Sequence, residues 1–262
     1  MKSLTEVAPK AKALVNQALL LDPELGQEQS ALGAIAMFYD RNLHEAERIY
    51  RLSMELNPNW VSTYREYAIC MRAMGRPDEA IASMKHARDL DPLSVVFNTS
   101  LGWEFYYAHH YAEAIEQFQT SIAMDPTFLS AQLGLASAYQ QNHMEKEAIL
   151  AWQDYITASG NPGLASELAK IYTSSGYAAA MLMFRSKALE LNTDAARDSY
   201  VSPMVFAGLQ ATLGDKGKAF SWLASADTER SSKLLDLKVD SDFDSLRGDP
   251  RFTELVRHIG LP

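Results

Sequence analysis

A step of 34 residues constrains the fold of this 262-residue chain more than any other feature of its sequence. Four segments share one layout: EAERIYRLSMELNP, EAIASMKHARDLDP, EAIEQFQTSIAMDP and EAILAWQDYITASG. Their alanines keep this step: Ala46, Ala80, Ala114 and Ala148. A bulky residue follows four positions later in each: Tyr50, Met84, Phe118 and Trp152. Aligned rows at a fixed step are typical of stacked supersecondary units, so they predict a repeat protein.

Each unit is predicted to be a pair of helices. The small residues allow two helices to approach closely, and the bulky row fills the space between successive pairs. Proline disfavours a helical residue before it, so the second helices should end at Asn57, Asp91 and Asp125. The segments WVSTYREYAICMRAMG, VVFNTSLGWEFYYAHH and LSAQLGLASAYQQNH read as first helices. These should end near Gly75, His109 and His143, at a turn that favours the left-handed region.

This layout resembles the tetratricopeptide repeat (TPR), a helix-turn-helix unit of the same length. The clearest copy carries the resemblance in a set of small and bulky residues: Leu101, Gly102, Phe105, Ala114, Phe118, Ser121 and Pro126. It implies an all-α fold, a right-handed superhelical solenoid of antiparallel helix pairs with a short C-terminal capping helix. Four units are expected at 27–60, 61–94, 95–128 and 129–161. The second helix of the last unit should end near residue 160.

The flanks follow the same pattern less closely. Residues 1–26, with Ala11, Val15, Ala18 and Pro23, repeat the spacing of a second helix, so we expect a fragment that lacks its first helix. A degenerate repeat is expected over 162–199, a last helix pair over 200–230, and a tail with a capping helix over 231–262. An alternative function is self-assembly into a homo-oligomer through the open apolar face of this first helix.

The tail resembles a more particular group of proteins. Its segments AFSWLASADTERSS and LKVDSDFDSLRGDPRF, together with PKAKALVNQALLLDPELG near the start, are similar to TPR regions of large bacterial signalling proteins. These are winged-helix regulators, adenylate cyclases and serine/threonine protein kinases. The resemblance implies a scaffolding or sensory segment of a signalling protein and carries over no catalytic residue.

Composition excludes several classes of partner. The net charge of -9 repels phosphate backbones and anionic lipid heads, so we expect neither a nucleic acid nor a membrane partner. No apolar run reaches the roughly 18 residues of a membrane span. The single cysteine, Cys70, cannot form an internal disulfide, and we expect a cytoplasmic protein with a buried, inert thiol.

The sequence predicts neither catalytic residues nor a cofactor or metal site, and hence no enzyme. His109 and His110 are adjacent, which is not the spacing by which one helix face binds a metal. No G-x-S-x-G elbow or phosphate-binding loop accompanies the serines and glycines. The glutamates Glu45, Glu79 and Glu113 recur with the repeat, and they read as helix N-terminal residues that the helix dipole favours.

A partner-binding surface is the better hypothesis. The resemblance places groove-facing residues at the second, fifth, ninth, twelfth and thirteenth positions of a unit, on the concave side. Those we expect to bind a protein or peptide are Phe38, Tyr39, Arg65, Ile69, Arg72, Trp103, Tyr106, Tyr107, Gln140 and Gln141. Trp, Tyr and Arg often dominate interface energy because they bury large areas and keep a polar group.

Two alternatives remain open for this surface. The repeats could bind a small effector and transmit its presence to an attached regulator, or some of the aromatic residues could pack between helices. TPR proteins that bind chaperone tails use a basic, asparagine-rich clamp at the fifth and ninth positions. This chain has Ala31, Arg65, Thr99 and Leu133 at the fifth, and Ile35, Ile69, Trp103 and Ser137 at the ninth.

Overall fold

The computed structural model describes residues 4–22 and 24–262. The described secondary structure is helical throughout. In chain order the α-helices are α1 Leu4–Leu21, α2 Gly26–Ala34, α3 Leu43–Leu56, α4 Val61–Ala73, α5 Pro77–Leu90, α6 Val95–Tyr107, α7 Tyr111–Met124, α8 Leu129–Gln141, α9 Glu145–Ala158, α10 Pro162–Ala195, α11 Pro203–Thr212, α12 Lys216–Thr228 and α13 Pro250–His258. A π-helical turn, Ile35–Tyr39, follows α2, and two 3-10 helices, Ser232–Asp236 and Ser241–Leu246, lie between α12 and α13. The predicted all-α class of TPR-like helix pairs is confirmed.

The repeating rows lie in the core, as the spacing predicts. The four alanines of the first row are at most 1% exposed, and Tyr50, Met84 and Phe118 of the bulky row are fully buried. Trp152, the fourth member of that row, is 8% exposed. Close contact between consecutive helices therefore depends on a small residue on one helix facing a large one on its neighbour.

The ends of the helices also follow the sequence. Asn57, Asp91 and Asp125 are the C-terminal caps of α3, α5 and α7, each directly before a proline. The turn between the helices of a pair holds one residue in the left-handed region: Arg41 at φ 55°, Gly75 at 73°, His109 at 62° and His143 at 58°. The two predicted histidine turns are confirmed, and Arg41 is a further left-handed turn residue that the sequence pattern did not predict. Pro23, expected to end the first helix, lies outside the described residues.

Two departures from regular helix geometry were not predicted. The π-helical turn at Ile35–Tyr39 widens the end of the first helix in the first repeat. In α10, Gly176 has φ 83° and ψ 177°, which is not helical and divides the 34-residue stretch into two helices. Glycine accepts this backbone conformation without steric penalty. The two parts of α10 occupy the stretch in which a degenerate repeat was expected.

The chain forms two compact units. The first contains Met1–Asp91, Ser202–Ala211 and Lys216–Pro262, and the second contains Pro92–Val201 and Thr212–Asp215. The first unit is therefore discontinuous, since the C-terminal helices and tail pack with the first repeats. In the second unit, Trp152 and Ile149 of α9 pack with Leu168, Ala180 and Met181 of α10. No described helix is both long and apolar enough to cross a membrane.

Candidate functional site

The predicted partner-binding residues fall into two patches, one in each unit. The first-unit patch consists of Phe38, Tyr39, Arg65, Ile69 and Arg72, and the second-unit patch of Trp103, Tyr106, Tyr107, Gln140 and Gln141. In the first-unit patch, Phe38 and Tyr39 lie on the π-helical turn and the other three on α4, the first helix of the second repeat.

Arg72 is already engaged by the protein's own C-terminal region. Its Nη2 atom donates a hydrogen bond of 2.7 Å to Oδ1 of Asp236, and the side chains are only 7% and 5% exposed. Lys233 lies 3.3 Å from the other oxygen of this carboxylate. Burial alone would raise the pKa of Asp236, but the charges of Arg72 and Lys233 outweigh that effect and lower it. Arg72 therefore holds a buried carboxylate.

Tyr39 makes a second contact with the C-terminal region. The Arg230 guanidinium lies 5.0 Å from the centroid of the Tyr39 ring, and it also donates a hydrogen bond to the Tyr39 carbonyl oxygen. Close by in sequence, Arg41 forms an ion pair of 2.6 Å with Asp227, which lies in α12. These contacts join the turn after α2 to the end of α12 within the first unit.

Arg65 and Ile69 remain half-buried on α4. Arg65 donates a hydrogen bond of 2.6 Å to Glu66, whose carboxylate is the more buried of the two groups. Burial raises the pKa of Glu66, and the positive charges of Arg65 and Arg72 oppose this rise. The first-unit patch thus combines apolar surface with several charged groups that are neutralised internally.

The second-unit patch is built around Trp103 on α6. Its indole Nε1 donates a hydrogen bond of 3.2 Å to Oγ of Ser130 at the start of α8. The Tyr107 ring stacks on the indole at 5.7 Å with an interplanar angle of 28°, and Phe118 contacts it edge-on at 5.3 Å. These contacts fix the orientation of an indole that is still half-buried rather than buried.

The other members of this patch are exposed to different degrees. Tyr106 and Tyr107 are 6% and 8% exposed, so most of their area packs within the unit, as the interhelical alternative supposed. Gln140 and Gln141 are half-buried at the end of α8, and the Gln140 side-chain oxygen accepts a hydrogen bond of 3.3 Å from Trp152. The accessible part of the second-unit patch therefore consists of an oriented indole and uncharged amide groups.

Sequence reasoning missed the C-terminal partners of the first-unit patch. Asp227 and Arg230 lie at the end of the predicted last helix pair, and Asp236 lies in the tail, outside the repeat pattern. The ion pair of Arg72 with Asp236 joins residues 164 positions apart. A lone aspartate between leucines, as in Leu235-Asp236-Leu237, is a signal that could have been noticed. A carboxylate in an apolar segment needs a positively charged partner when it is buried.

Cys70, which the sequence analysis predicted to be an inert thiol, has a structural position. Cys70 is buried, its thiol lies 3.4 Å from the Leu43 carbonyl oxygen, and burial raises its pKa to about 12. Within residues 4–22 and 24–262, no cluster of three potential metal ligands was found. A cleft of about 670 Å³ in the first unit is lined by residues 40–44, Met74 and parts of 253–262, which belong to neither patch.

Comparison with known proteins gives relatives that cover only part of the chain. No protein-family model matches it. The Hsp70-Hsp90 organizing protein of Triticum aestivum is 25% identical over 154 residues, which are 59% of this chain and 26% of that protein. The small glutamine-rich tetratricopeptide repeat-containing protein 2 of Mycosarcoma maydis is 30% identical over 92 residues, 35% of this chain and 26% of that protein. The matched region thus spans about a quarter of the length of these relatives.

Solved structures show the same fold. The TPR protein YrrB, described as having an unusual peptide-binding site, has a TM-score of 0.51 at 17% identity, covering 64% of this chain and 87% of that one. The type IV pilus biogenesis factor PilW has a TM-score of 0.54 at 14% identity, covering 92% and 91%. The Cut9-Hcn1 complex of the APC/C has a TM-score of 0.56 at 17% identity, covering 96% and 46%. The predicted resemblance to TPR proteins is confirmed, in sequence relatives and in structural neighbours.

Proposed function

We propose that this chain of TPR-like repeats is a non-enzymatic scaffold that binds a protein or peptide on the inner helices of its repeats. The observation that carries the proposal is the second-unit patch, where Trp103 is held by Ser130 and Tyr107 yet keeps part of its indole accessible. A large aromatic side chain with a fixed orientation loses little conformational entropy on binding, which is a common property of interface hot spots.

The chemistry of this patch favours an uncharged peptide segment. The indole offers apolar area, and the amides of Gln140 and Gln141 can donate to and accept from a peptide backbone. None of the five patch residues carries a charge at neutral pH. Affinity there should therefore change little between low and high salt, unlike that of a charged clamp.

The names of the sequence relatives suggest chaperone binding, but the residues of this chain do not support it. Chaperone-tail-binding TPR proteins have a basic, asparagine-rich clamp at the fifth and ninth positions of their repeats. This chain has mostly apolar or small residues at those positions. Arg65 is the one basic residue among these eight positions, and it pairs with Glu66. We therefore propose a partner other than a chaperone tail.

Selection from a random peptide library tests the scaffold function without a known partner. A phage-displayed library of 12-residue peptides is selected on the wild-type protein, and the enriched peptides are measured by fluorescence anisotropy. We expect them to lose at least about tenfold in affinity for Trp103→Ala, because a hot-spot truncation costs more than about 1.4 kcal/mol. Tyr200→Ala, which removes an aromatic residue that is 63% exposed in the same unit, is the matched control.

The result can contradict the proposal in two ways. Enriched peptides that bind Trp103→Ala as tightly as the wild type would place the binding surface elsewhere. Failure to enrich any peptide over several rounds would argue against peptide binding by this scaffold.

We further propose that the scaffold serves a bacterial signalling or regulatory protein. The support is the similarity of the N-terminal segment and tail to TPR regions of winged-helix regulators, cyclases and kinases. Reading the gene upstream of the Met1 codon is the direct test. A DNA-binding, cyclase or kinase domain in the same reading frame is the expected result, and an unrelated neighbouring gene would contradict it.

Self-association through α1 is a second candidate, favoured by the apolar residues that this helix exposes. Leu14, Leu20 and Leu21 are 66%, 84% and 89% exposed. Light scattering over a concentration series tests it, since a dimer should form with rising concentration and be lost in Leu14→Glu. A monomer throughout the series would exclude the candidate.

A further inference from the structure

The tail segment, residues 231–240 with the sequence SSKLLDLKVD, occupies a surface on which a TPR-like unit can bind a ligand. Its 3-10 helix, Ser232–Asp236, packs against α4. The first helices of such repeats line the concave side, and Arg72 lies at the twelfth position of its repeat. The occupant of this part of the first unit is thus a peptide-like segment of the same chain.

The segment is bound by the two kinds of contact that peptide recognition uses. Leu234, Leu235 and Leu237 are 2%, 7% and 0% exposed, which supplies apolar burial. Between them, the carboxylate of Asp236 accepts the Arg72 hydrogen bond of 2.7 Å. A buried carboxylate is strongly destabilised without such a partner, so Arg72 favours an aspartate at this position between leucines.

Two further contacts hold the region just before the segment. Arg230 donates to the Tyr39 carbonyl oxygen and covers the Tyr39 ring, and Asp227 pairs with Arg41. Both pairs are only partly buried, with side-chain exposures of 18% and 20% for Arg41 and Asp227. Partly buried ion pairs contribute less than the apolar contacts and weaken in salt.

The form of the segment differs from that of the repeats. It consists of one short 3-10 helix followed by a turn, whereas α4 and α5 form a pair of long helices that pack along their length. Short 3-10 helices have poorer hydrogen-bond geometry than α-helices, so they open at lower free energy when their side-chain contacts are lost.

From these observations we propose that the inner face around Arg72 is a recognition site for a peptide segment with an aspartate between leucines, with the tail segment as its internal ligand. A partner segment of the same chemistry competes with the tail for Arg72. This site rests on the proposed function in that it, too, uses the inner helices as a binding surface. It concerns the first unit and the chain's own ligand, not Trp103.

A synthetic peptide with the tail sequence tests the proposal on the full-length protein. The probe is fluorescein-labelled SSKLLDLKVD, and its binding is followed by anisotropy. In Asp236→Ala the internal ligand lacks its carboxylate, so we expect the probe to bind this variant at least about tenfold more tightly than the wild type. The double variant Arg72→Ala/Asp236→Ala should lose that gain, because the probe's carboxylate then lacks its partner.

Two matched controls isolate the carboxylate contact. Asp244→Asn changes an exposed carboxylate in the next 3-10 helix, where it pairs with Arg247 and not with a repeat, and should bind the probe as weakly as the wild type. A probe with asparagine in place of its sixth residue, the counterpart of Asp236, should bind Asp236→Ala at least about tenfold more weakly than the parent probe. The proposal would be overturned if both probes bound Asp236→Ala equally well. It would also be overturned if the parent probe bound the wild type and every variant with the same affinity.

Hydrogen exchange on the unaltered protein covers the case in which the variants fail to fold. Amides of residues 233–239 should exchange through an opening that leaves α4 and α5 protected, and added unlabelled peptide should not slow exchange in α6–α9. If the tail amides exchanged only together with those of α4, the segment would be a permanent part of the core and the proposal would be wrong. These readouts do not depend on Trp103 or on a selected peptide, so failure here is distinct from failure of the scaffold function.

Discussion

Phe118 leaves no room for a side chain at Gly134: a Cβ atom built there would lie 2.4 Å from Cε1 of the ring. The ring cannot move away, because it is fully buried and a Cβ at Gly102 on the other helix would lie 2.6 Å from it. The Phe118 ring on α7 therefore lies between Gly102 of α6 and Gly134 of α8. This contact joins one repeat to the next in the second unit.

Gly134→Ala should consequently destabilise the protein despite the higher helix propensity of alanine. Overpacking a rigid core site costs about 1–3 kcal/mol, which exceeds the roughly 1 kcal/mol gained from propensity. Urea unfolding followed by circular dichroism measures the change. Gly163→Ala is the control, since a Cβ there would meet no heavy atom within 4 Å beyond its chain neighbours and its own helix backbone, and it should be neutral or slightly stabilising. Equal effects of the two substitutions would refute the packing argument.

The sequence predicted the features of the fold that recur with the repeat. The burial of Ala80 and Met84 and the C-terminal cap at Asp91 follow from local spacing, because every unit must solve the same packing problem. The contact of Arg72 with Asp236 could not be predicted in this way. It joins a repeat to a tail that has no periodicity, and a long-range pairing depends on where the whole chain places the tail.

The candidate site was predictable to a similar extent. The resemblance predicted a groove position for Trp103, but spacing alone could not show that Tyr106 and Tyr107 are mostly buried. Their burial depends on the orientation of neighbouring rings, such as the edge-on contact of Tyr106 with Tyr111 at 5.8 Å. Ring orientation is set by tertiary packing and not by helical position.

His143→Gly should stabilise the protein. His143 has φ 58°, a region in which a residue with a Cβ atom is strained by about 1 kcal/mol and glycine is not. The greater flexibility of glycine in the unfolded chain removes part of this gain, so we expect a net rise of about 0.5 kcal/mol in the free energy of unfolding. Thermal and urea unfolding measure it.

A second histidine-to-glycine substitution, for which we expect the opposite change in the free energy of unfolding, tests whether the effect is specific to the turn. His86 lies in the interior of α5, where glycine costs about 1 kcal/mol, so His86→Gly should destabilise. Destabilisation by both substitutions would show that the left-handed turn does not govern the effect at His143.

The stability of the first unit should fall as the pH rises toward neutrality, through Asp240. Burial raises the pKa of Asp240 to about 7, and the carboxylates of Asp242 and Asp236 add to the rise, while Lys233 and a hydrogen bond from the Asp242 amide oppose it. Between the ordinary pKa of 3.8 and this value, the folded protein binds a proton that the unfolded chain has released. The free energy of unfolding therefore falls with pH across this window, by at most about 1.4 kcal/mol per pH unit.

Asp240→Asn should flatten this part of the profile. The amide oxygen of asparagine can still accept the hydrogen bond of 3.1 Å from the Asp242 backbone, but it does not titrate. Urea unfolding at intervals from pH 4 to 8 measures the slope, and the variant should exceed the wild type in stability at pH 8. Asp244→Asn, at an exposed carboxylate in the 3-10 helix that Asp240 caps, should keep the wild-type slope. A variant profile parallel to that of the wild type would contradict the role of Asp240.

Cys70 should react with thiol reagents only when the first unit opens. Its side chain is fully buried in α4, and burial raises its pKa to about 12, so the reactive thiolate is scarce and inaccessible at neutral pH. We expect reaction with Ellman's reagent to be at least about 100-fold slower in the folded protein than in urea. Ala82→Cys, at an exposed position of α5, provides an internal standard in the same molecule. That variant should give one fast and one slow thiol, whereas two fast thiols would show that α4 and its neighbours open far more readily than their packing implies.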